Sequence, residues 1–257
     1  MTAVAGLGTV LTALTFVWVL SVRLRDASIA DVCWGSGFAL LAWLYCLLSP
    51  MSPRSWLVAT LITVWGARLS RYIFGRNHGK GEDPRYQAMR ASQGHAFWWR
   101  SLFTVFWLQG AILWFVALPV LVAVRAARPE ALSAVDGLGV VLFMIGFGFE
   151  VVGDHQLARF KADPANRGRV LDRGLWRYTR HPNYFGDATL WWGLYVIACA
   201  TPQGWLTVLS PALMSFLLMR VSGVTLLEDG LKISKPGYRA YIARTPAFFP
   251  WFPRVPQ

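Results

Sequence analysis

Residues 134–154 read AVDGLGVVLFMIGFGFEVVGD, and no charged side chain lies between Asp136 and Glu150. An α-helix rises about 1.5 Å per residue, so about 20 such residues cross the ~30 Å hydrocarbon core of a bilayer. The stretch therefore predicts a membrane-crossing helix. Six more windows of this kind lie at about 3–22, 29–48, 55–74, 101–124, 184–201 and 205–224. The whole composition agrees: the 257 residues are 55% hydrophobic and only 15% charged, with 14 Trp and a mean hydropathy of +0.42. Ordinary globular domains carry roughly a quarter charged residues, so a disordered chain is excluded and a soluble enzyme is not expected. The expected fold class is all-α, a polytopic membrane protein built as a seven-transmembrane-helix bundle. Window 3–22 has no basic segment ahead of it and is read as a retained helix, not a signal peptide.

Charge gives the orientation. Twenty-five Lys and Arg against thirteen Asp and Glu leave a net +12. With seven crossings, all the basic residues but Arg54, Arg125 and Arg128 fall on one side. Basic loops stay in the cytosol, so the N-terminus is expected outside and the C-terminus in the cytosol, in a bacterial inner membrane. Nucleic acid is not needed to explain the charge. The cytosolic collar is richer than orientation requires, which suits anionic headgroups or a polyanionic ligand. Neither repeats nor a long linker interrupt the chain. It is read as one membrane domain, with 1–124 on the substrate side and 134–257 holding the cofactor.

Motifs narrow the chemistry by exclusion. No G-x-G-x-x-G joins a strand to a helix, and Gly75 to Lys80 is one residue short of a phosphate-binding P-loop. HExxH and GxSxG are absent. Cys33, Cys46 and Cys199, and the histidines at 78, 95, 155 and 181, show no metal-ligand spacing, so no metal is expected. Ionisable residues inside or at the edge of spans are costly and mark sites. Glu150 and Asp154 are one turn apart at the end of a span, and Lys161 continues their face. Next comes Tyr178-Thr179-Arg180-His181-Pro182-Asn183-Tyr184-Phe185-Gly186-Asp187. Pro182 suits a first helical residue, which sets Asn183 and Asp187 one turn apart. Carboxylates and amides suit ribose hydroxyls, and cations suit phosphates. Glu228, Tyr238 and Arg244 repeat the mixture in the tail, and Arg76 and Lys80 lie in a glycine-bearing loop.

These blocks resemble the C-terminal domain of the membrane-bound steroid 5-alpha-reductase family. The carrying residues are Glu150-x3-Asp154-x6-Lys161, Arg180-His181-Pro182-Asn183-Tyr184-x2-Asp187, and the ending from Glu228 through Tyr238 and Arg244 to Pro250. The whole chain is similar to an uncharacterised bacterial branch of that family, of the domain-of-unknown-function 1295 type. The resemblance implies a cytosolic NADPH site and reduction of a carbon–carbon double bond conjugated to a carbonyl. It implies cofactor contacts from Asp154, Lys161 (where the family usually has Arg), Asn183, Asp187, Tyr238 and Arg244; Glu150, Tyr178, Arg180, His181, Tyr184 and Glu228 of the same polar blocks are expected to join them. Lys161 with Arg76 or Lys80 is expected at the 2′-phosphate. The steroid reductases hold the carbonyl with a Tyr and a Glu from early helices; here Trp65 stands where that Tyr falls, and windows one and two contain no Glu. Tyr72, Glu82 and Tyr86 are the candidate catalytic donors. The expected partners are a lipophilic substrate from the bilayer, steroid- or isoprenoid-like, and membrane lipids.

Two rival readings stay open. Isoprenylcysteine-type membrane methyltransferases, which use S-adenosylmethionine, also carry Arg-His-Pro-x-Tyr, a late acidic pair and Tyr-x-x-Tyr, matched by Arg180 to Tyr184, Glu228-Asp229 and Tyr238/Tyr241. S-adenosylmethionine has no phosphate, however, and leaves the collar unexplained. A non-enzymatic lipid-binding protein would use the collar for headgroups, but Asp154 and Asp187 would repel them.

Overall fold

A computed structural model describes residues 1–126, 129, 131–221 and 224–254. Arg128, counted above among the few outer cations, lies outside the described residues, as do residues 222–223 at the end of the last predicted window. The described residues form helices and turns without a strand. They divide into two compact units, Met1–Leu132 and Ser133–Gln257.

Unit 1 opens with α1 (Thr2–Leu24) and α2 (Ile29–Leu47), which follow the apolar windows closely. Helix α3 (Pro53–Asn77) starts in a capping box, where the Ser52 and Ser55 side chains each bond the other's backbone N–H. Its contact with α2 is tight: a Cβ on Gly35 would stand 2.5 Å from the Gly66 carbonyl oxygen. Such small-residue pairs let membrane helices approach backbone to backbone. Arg54 does not serve as an exposed topology charge. It is fully buried and donates to the carbonyls of Pro129 (2.9 Å) and Ala131 (3.3 Å).

The predicted window 101–124 is corrected. A nearly continuous helical run, Pro84–Val116, comprises α4 (Pro84–Gln93), α5 (Phe97–Ser101), a wide π turn over Leu102–Trp107 and α6 (Leu108–Val116). It ends at Ala117, where ψ is 1°, and α7 (Leu118–Arg125) follows. Pro119 explains the break, because its ring clashes with the carbonyl four residues earlier and it has no N–H to give.

Unit 2 is organised by α8 (Ala134–Ala162) and α9 (Pro182–Cys199). They run antiparallel along a seam of glycines seven residues apart. A Cβ on Gly139 would meet the Gly193 carbonyl at 2.7 Å, one on Gly146 the Gly186 carbonyl at 2.5 Å, and one on Gly153 the Asn183 nitrogen at 3.1 Å. A seven-residue repeat keeps one face against its partner for several turns. The last predicted window becomes a run from Gly204 through α10 (Leu209–Phe216) to Val221. Helices α11 (Val224–Ser234) and α12 (Tyr238–Arg244) precede an extended tail.

Five helical runs are long and apolar enough to cross a bilayer: Thr2–Leu24, Ile29–Leu47, Pro84–Val116, Ala134–Ala162 and Gly204–Val221. Helices α3 and α9 have the length but are not among these five runs. Leu138, Val141, Met144, Ile145 and Val152 are all exposed along α8, an apolar surface suited to acyl chains. This is the make-up of an integral membrane protein.

Candidate functional site

The glycine seam places the polar residues of unit 2. Because Gly153 has no side chain, the first turn of α9 comes close enough for the Asn183 amide to donate to Asp154 Oδ1 at 3.0 Å. Asp154 and Glu150, one turn back, are both only 3% exposed. Glu150 abuts Gly186, whose Cβ would lie 2.5 Å from the Glu150 nitrogen, and Asp187 follows on α9. Glu150, Asp154 and Asn183, from separated parts of the chain, thus meet along one seam, with Asp187 next in sequence to its Gly186. Asn183 Oδ1 is buried with no hydrogen-bond partner within the protein, so this amide spends its donor on Asp154 and leaves an acceptor available. Burying an unsatisfied carbonyl oxygen is costly, and a ligand N–H or O–H would remove that cost. Lys161 lies on the same helix about 10 Å beyond Asp154, exposed.

A second group of the expected residues gathers around Arg180. Its Nε and Nη2 donate to the two Glu228 carboxylate oxygens at 2.7 and 3.1 Å, and Nη1 donates to the carbonyls of Ile242 and Thr245. Arg180 also bonds the Tyr238 hydroxyl. His181 Nε2 lies 3.0 Å from Glu228 Oε1; a carboxylate only accepts, so this nitrogen carries the hydrogen. The imidazole is parallel to the Tyr184 ring, with centroids 5.5 Å apart. Burial alone would raise the Glu228 carboxyl. The hydrogen bonds from His181 and Arg180 and the guanidinium charge outweigh burial and hold it at about 2. Burial pushes the Tyr238 phenol well above its ordinary value. Arg180 and Glu228 therefore neutralise each other, and their first work is to clamp the tail onto the start of α9.

Arg244 is directed elsewhere, to Asp172 in the loop after α8. Tyr178 is exposed, with its ring edge on Phe252. Two supporting residues outside the expected set stand out. Trp176 donates its indole N–H to the Gly153 carbonyl at 3.1 Å, and the Tyr241 hydroxyl donates to the Trp176 carbonyl. Both fix the loop that leads into Arg180.

Unit 1 separates the three candidate donors. Tyr72 is half-buried beneath the Arg68 guanidinium, 5.2 Å from its ring centre. Glu82 accepts from Arg90 (2.8 and 2.9 Å) and from the Ala27 N–H (2.8 Å), so its oxygens are committed. Tyr86 is 6% exposed, donates to Asp31 Oδ1 at 2.7 Å, and accepts from the Gln109 amide at 3.0 Å. Arg85 secures the other Asp31 oxygen at 2.6 Å. Asp31 and Gln109 escaped the sequence reading. Asp31 is the one acid of window 29–48. Arg76 and Lys80 are exposed and bonded locally, Lys80 Nζ to the Arg76 carbonyl at 2.6 Å. Among the described residues, no group of three or more His, Cys, Asp or Glu is placed to hold a metal ion.

No solved structure matches the chain. An uncharacterised protein of the fission yeast Schizosaccharomyces pombe is 29% identical over 264 residues, covering 91% of this chain and 75% of the relative. Residues 17–245 match the family described as "Protein of unknown function (DUF1295)", and the chain belongs to that family.

Proposed function

We propose that this protein is a membrane-embedded, NADPH-dependent reductase of a carbon–carbon double bond conjugated to a carbonyl in a lipophilic, steroid- or isoprenoid-like substrate. The observation that carries the reading is the half-buried Asn183 side chain, paired with buried Asp154, whose amide oxygen is itself buried and unpartnered. One acceptor oxygen and two flanking carboxylates fit the hydroxyl and amide hydrogens of a dinucleotide. The resemblance to the steroid 5-alpha-reductases rests on the same residues. Seven crossings, with the N-terminus outside and the cofactor residues facing the cytoplasm across the inner membrane, belong to this proposal.

In this reading Asn183, Asp154, Glu150 and Asp187 bind and orient the dinucleotide, and exposed Lys161 meets its extra phosphate. When bound, NADPH supplies the hydride. In unit 1 the Tyr86 hydroxyl gives its one hydrogen to the Asp31 carboxylate and accepts from the Gln109 amide. Asp31 and Gln109 hold the phenol in one orientation. The clamp of Arg180, Glu228 and Tyr238 keeps the entry to α9 in place.

One geometry favours a second reading. Arg180, His181, Glu228 and Tyr238 form one buried network with half-buried Tyr184 stacked on His181, and these are residues shared with the isoprenylcysteine-type methyltransferase pattern. Thermal unfolding of detergent-purified protein with NADPH, NADH or S-adenosylmethionine decides between them. A ligand at 100 times its dissociation constant stabilises the folded state by about 2.7 kcal/mol. Stabilisation by NADPH alone supports the reductase; stabilisation by S-adenosylmethionine reassigns the protein to methyl transfer; no shift with any of them contradicts both.

A further inference from the structure

The tail after α12 is built unlike a solvated C-terminus. Phe249, Trp251 and Phe252 are 69, 71 and 73% exposed, three large aromatic side chains within four residues. The segment is nevertheless fixed. The Arg180 N–H donates to the Pro246 carbonyl (2.9 Å), Thr179 Oγ1 to the Phe248 carbonyl (2.8 Å), and the Trp251 N–H to the Tyr178 carbonyl (2.9 Å). Phe248 is buried, and both Phe248 and Phe249 lie edge-on to Phe185 in the first turn of α9. Pro246, Pro250 and Pro253 remove three backbone N–H groups that would otherwise need partners outside water.

The depth of this segment follows from α8. Gly153 packs against Pro182 and Asn183, so the start of α9 is level with Gly153. Twenty residues separate the capped start of α8 from that level, a rise of about 30 Å and one hydrocarbon thickness. The strap 246–254 is bonded to residues 178–180, just before α9, and therefore sits at the boundary where aromatic side chains collect. Exposed Arg177 and Arg254 flank it, placed for headgroup phosphates.

We propose that residues 246–254 form a lipid-binding strap, with Phe249, Trp251 and Phe252 inserted among the acyl-chain ends and Arg177 and Arg254 on headgroup phosphates. This does not depend on the reductase reading. The test uses full-length protein with Cys33, Cys46 and Cys199 replaced by Ala, reconstituted in phosphatidylcholine–phosphatidylglycerol bilayers. A nitroxide is attached at Phe252→Cys, and separately at Trp251→Cys in case the first variant folds poorly. Arg173→Cys serves as the water-side reference: it is exposed and lies over Phe160, two turns beyond Gly153. Strap labels are expected to collide more with membrane-soluble oxygen than with a water-soluble nickel chelate, and the reference label to show the reverse. Water-like collisions at both strap positions would overturn the proposal. So would shielding from both reagents, which would mean that protein, not lipid, covers the aromatics.

Discussion

Replacing Glu228 by Gln tests the clamp that holds the tail to α9. The carboxylate receives Arg180 at 2.7 and 3.1 Å and His181 at 3.0 Å, with both partners of the ion pair buried. Glutamine keeps the shape but loses the charge, and its NH2 group faces another donor. Removing one partner of a buried pair costs about 3–5 kcal/mol, because the other charge is stranded. The pKa gives a second measure: a carboxyl held at about 2 instead of 4.5 is stabilised by about 3 kcal/mol, at 1.36 kcal/mol per pH unit. For a chain of this size, 3 kcal/mol corresponds to a melting-temperature loss of about 6–12 °C. The sign with pH follows from linkage. The folded-state pKa is depressed, so the contribution is complete above about 4.5 and disappears as the pH falls towards 2. Thermal unfolding in detergent should therefore show a large gap between wild type and Glu228→Gln at pH 7 that narrows as the pH is lowered from 5 to 2.5. The paired variant Arg180→Met/Glu228→Leu should recover much of the loss. Equal melting at pH 7, or a gap that ignores pH, would refute the clamp.

Three further outcomes are expected. Gly186→Ala drives a Cβ to 2.5 Å from the Glu150 nitrogen and should cost about 1–3 kcal/mol, whereas Gly148→Ala meets nothing within 4 Å and should be neutral or stabilising; equal melting shifts would argue against the seam. Asp187→Ala should weaken NADPH binding in calorimetry without unfolding the protein, and undiminished affinity would remove Asp187 from the site. Tyr86→Phe leaves the buried Asp31 carboxylate and Gln109 amide without the hydroxyl they share and should cost about 1–3 kcal/mol of stability; unchanged melting would argue against this anchor in unit 1.

Much of the architecture can be read from hydropathy alone. The ends of α1 and α2 fall where the apolar runs end, and Pro182 marks the start of α9. The bounds of window 101–124 differ from the run Pro84–Val116 because hydropathy registers neither a π turn nor the steric effect of Pro119; it counts apolar residues, and these continue on both sides of the break. Glu150, Asp154, Asn183 and Asp187 were found from local spacing. Their meeting across the seam depends on Gly139, Gly146 and Gly153 facing Gly186 and Gly193, a seven-residue repeat that was present in the sequence but unused. The anchoring of Tyr86 could not be read from sequence. Its partners Asp31 and Gln109 lie 55 and 23 residues away, and only the fold brings them together. Arg54 likewise looks like a loop cation until its carbonyl partners at 129 and 131 are known.

The most direct test is a calorimetric titration of NADPH into wild type and Asn183→Ala. The amide oxygen of Asn183 is the buried acceptor assigned to the cofactor, and losing a buried hydrogen bond of this kind costs about 1–3 kcal/mol. The account predicts saturable binding to wild type and an affinity about 10-fold lower or worse in the variant, with the apo variant still folded. Absence of NADPH binding to wild type, or equal affinity in the two proteins, would contradict it.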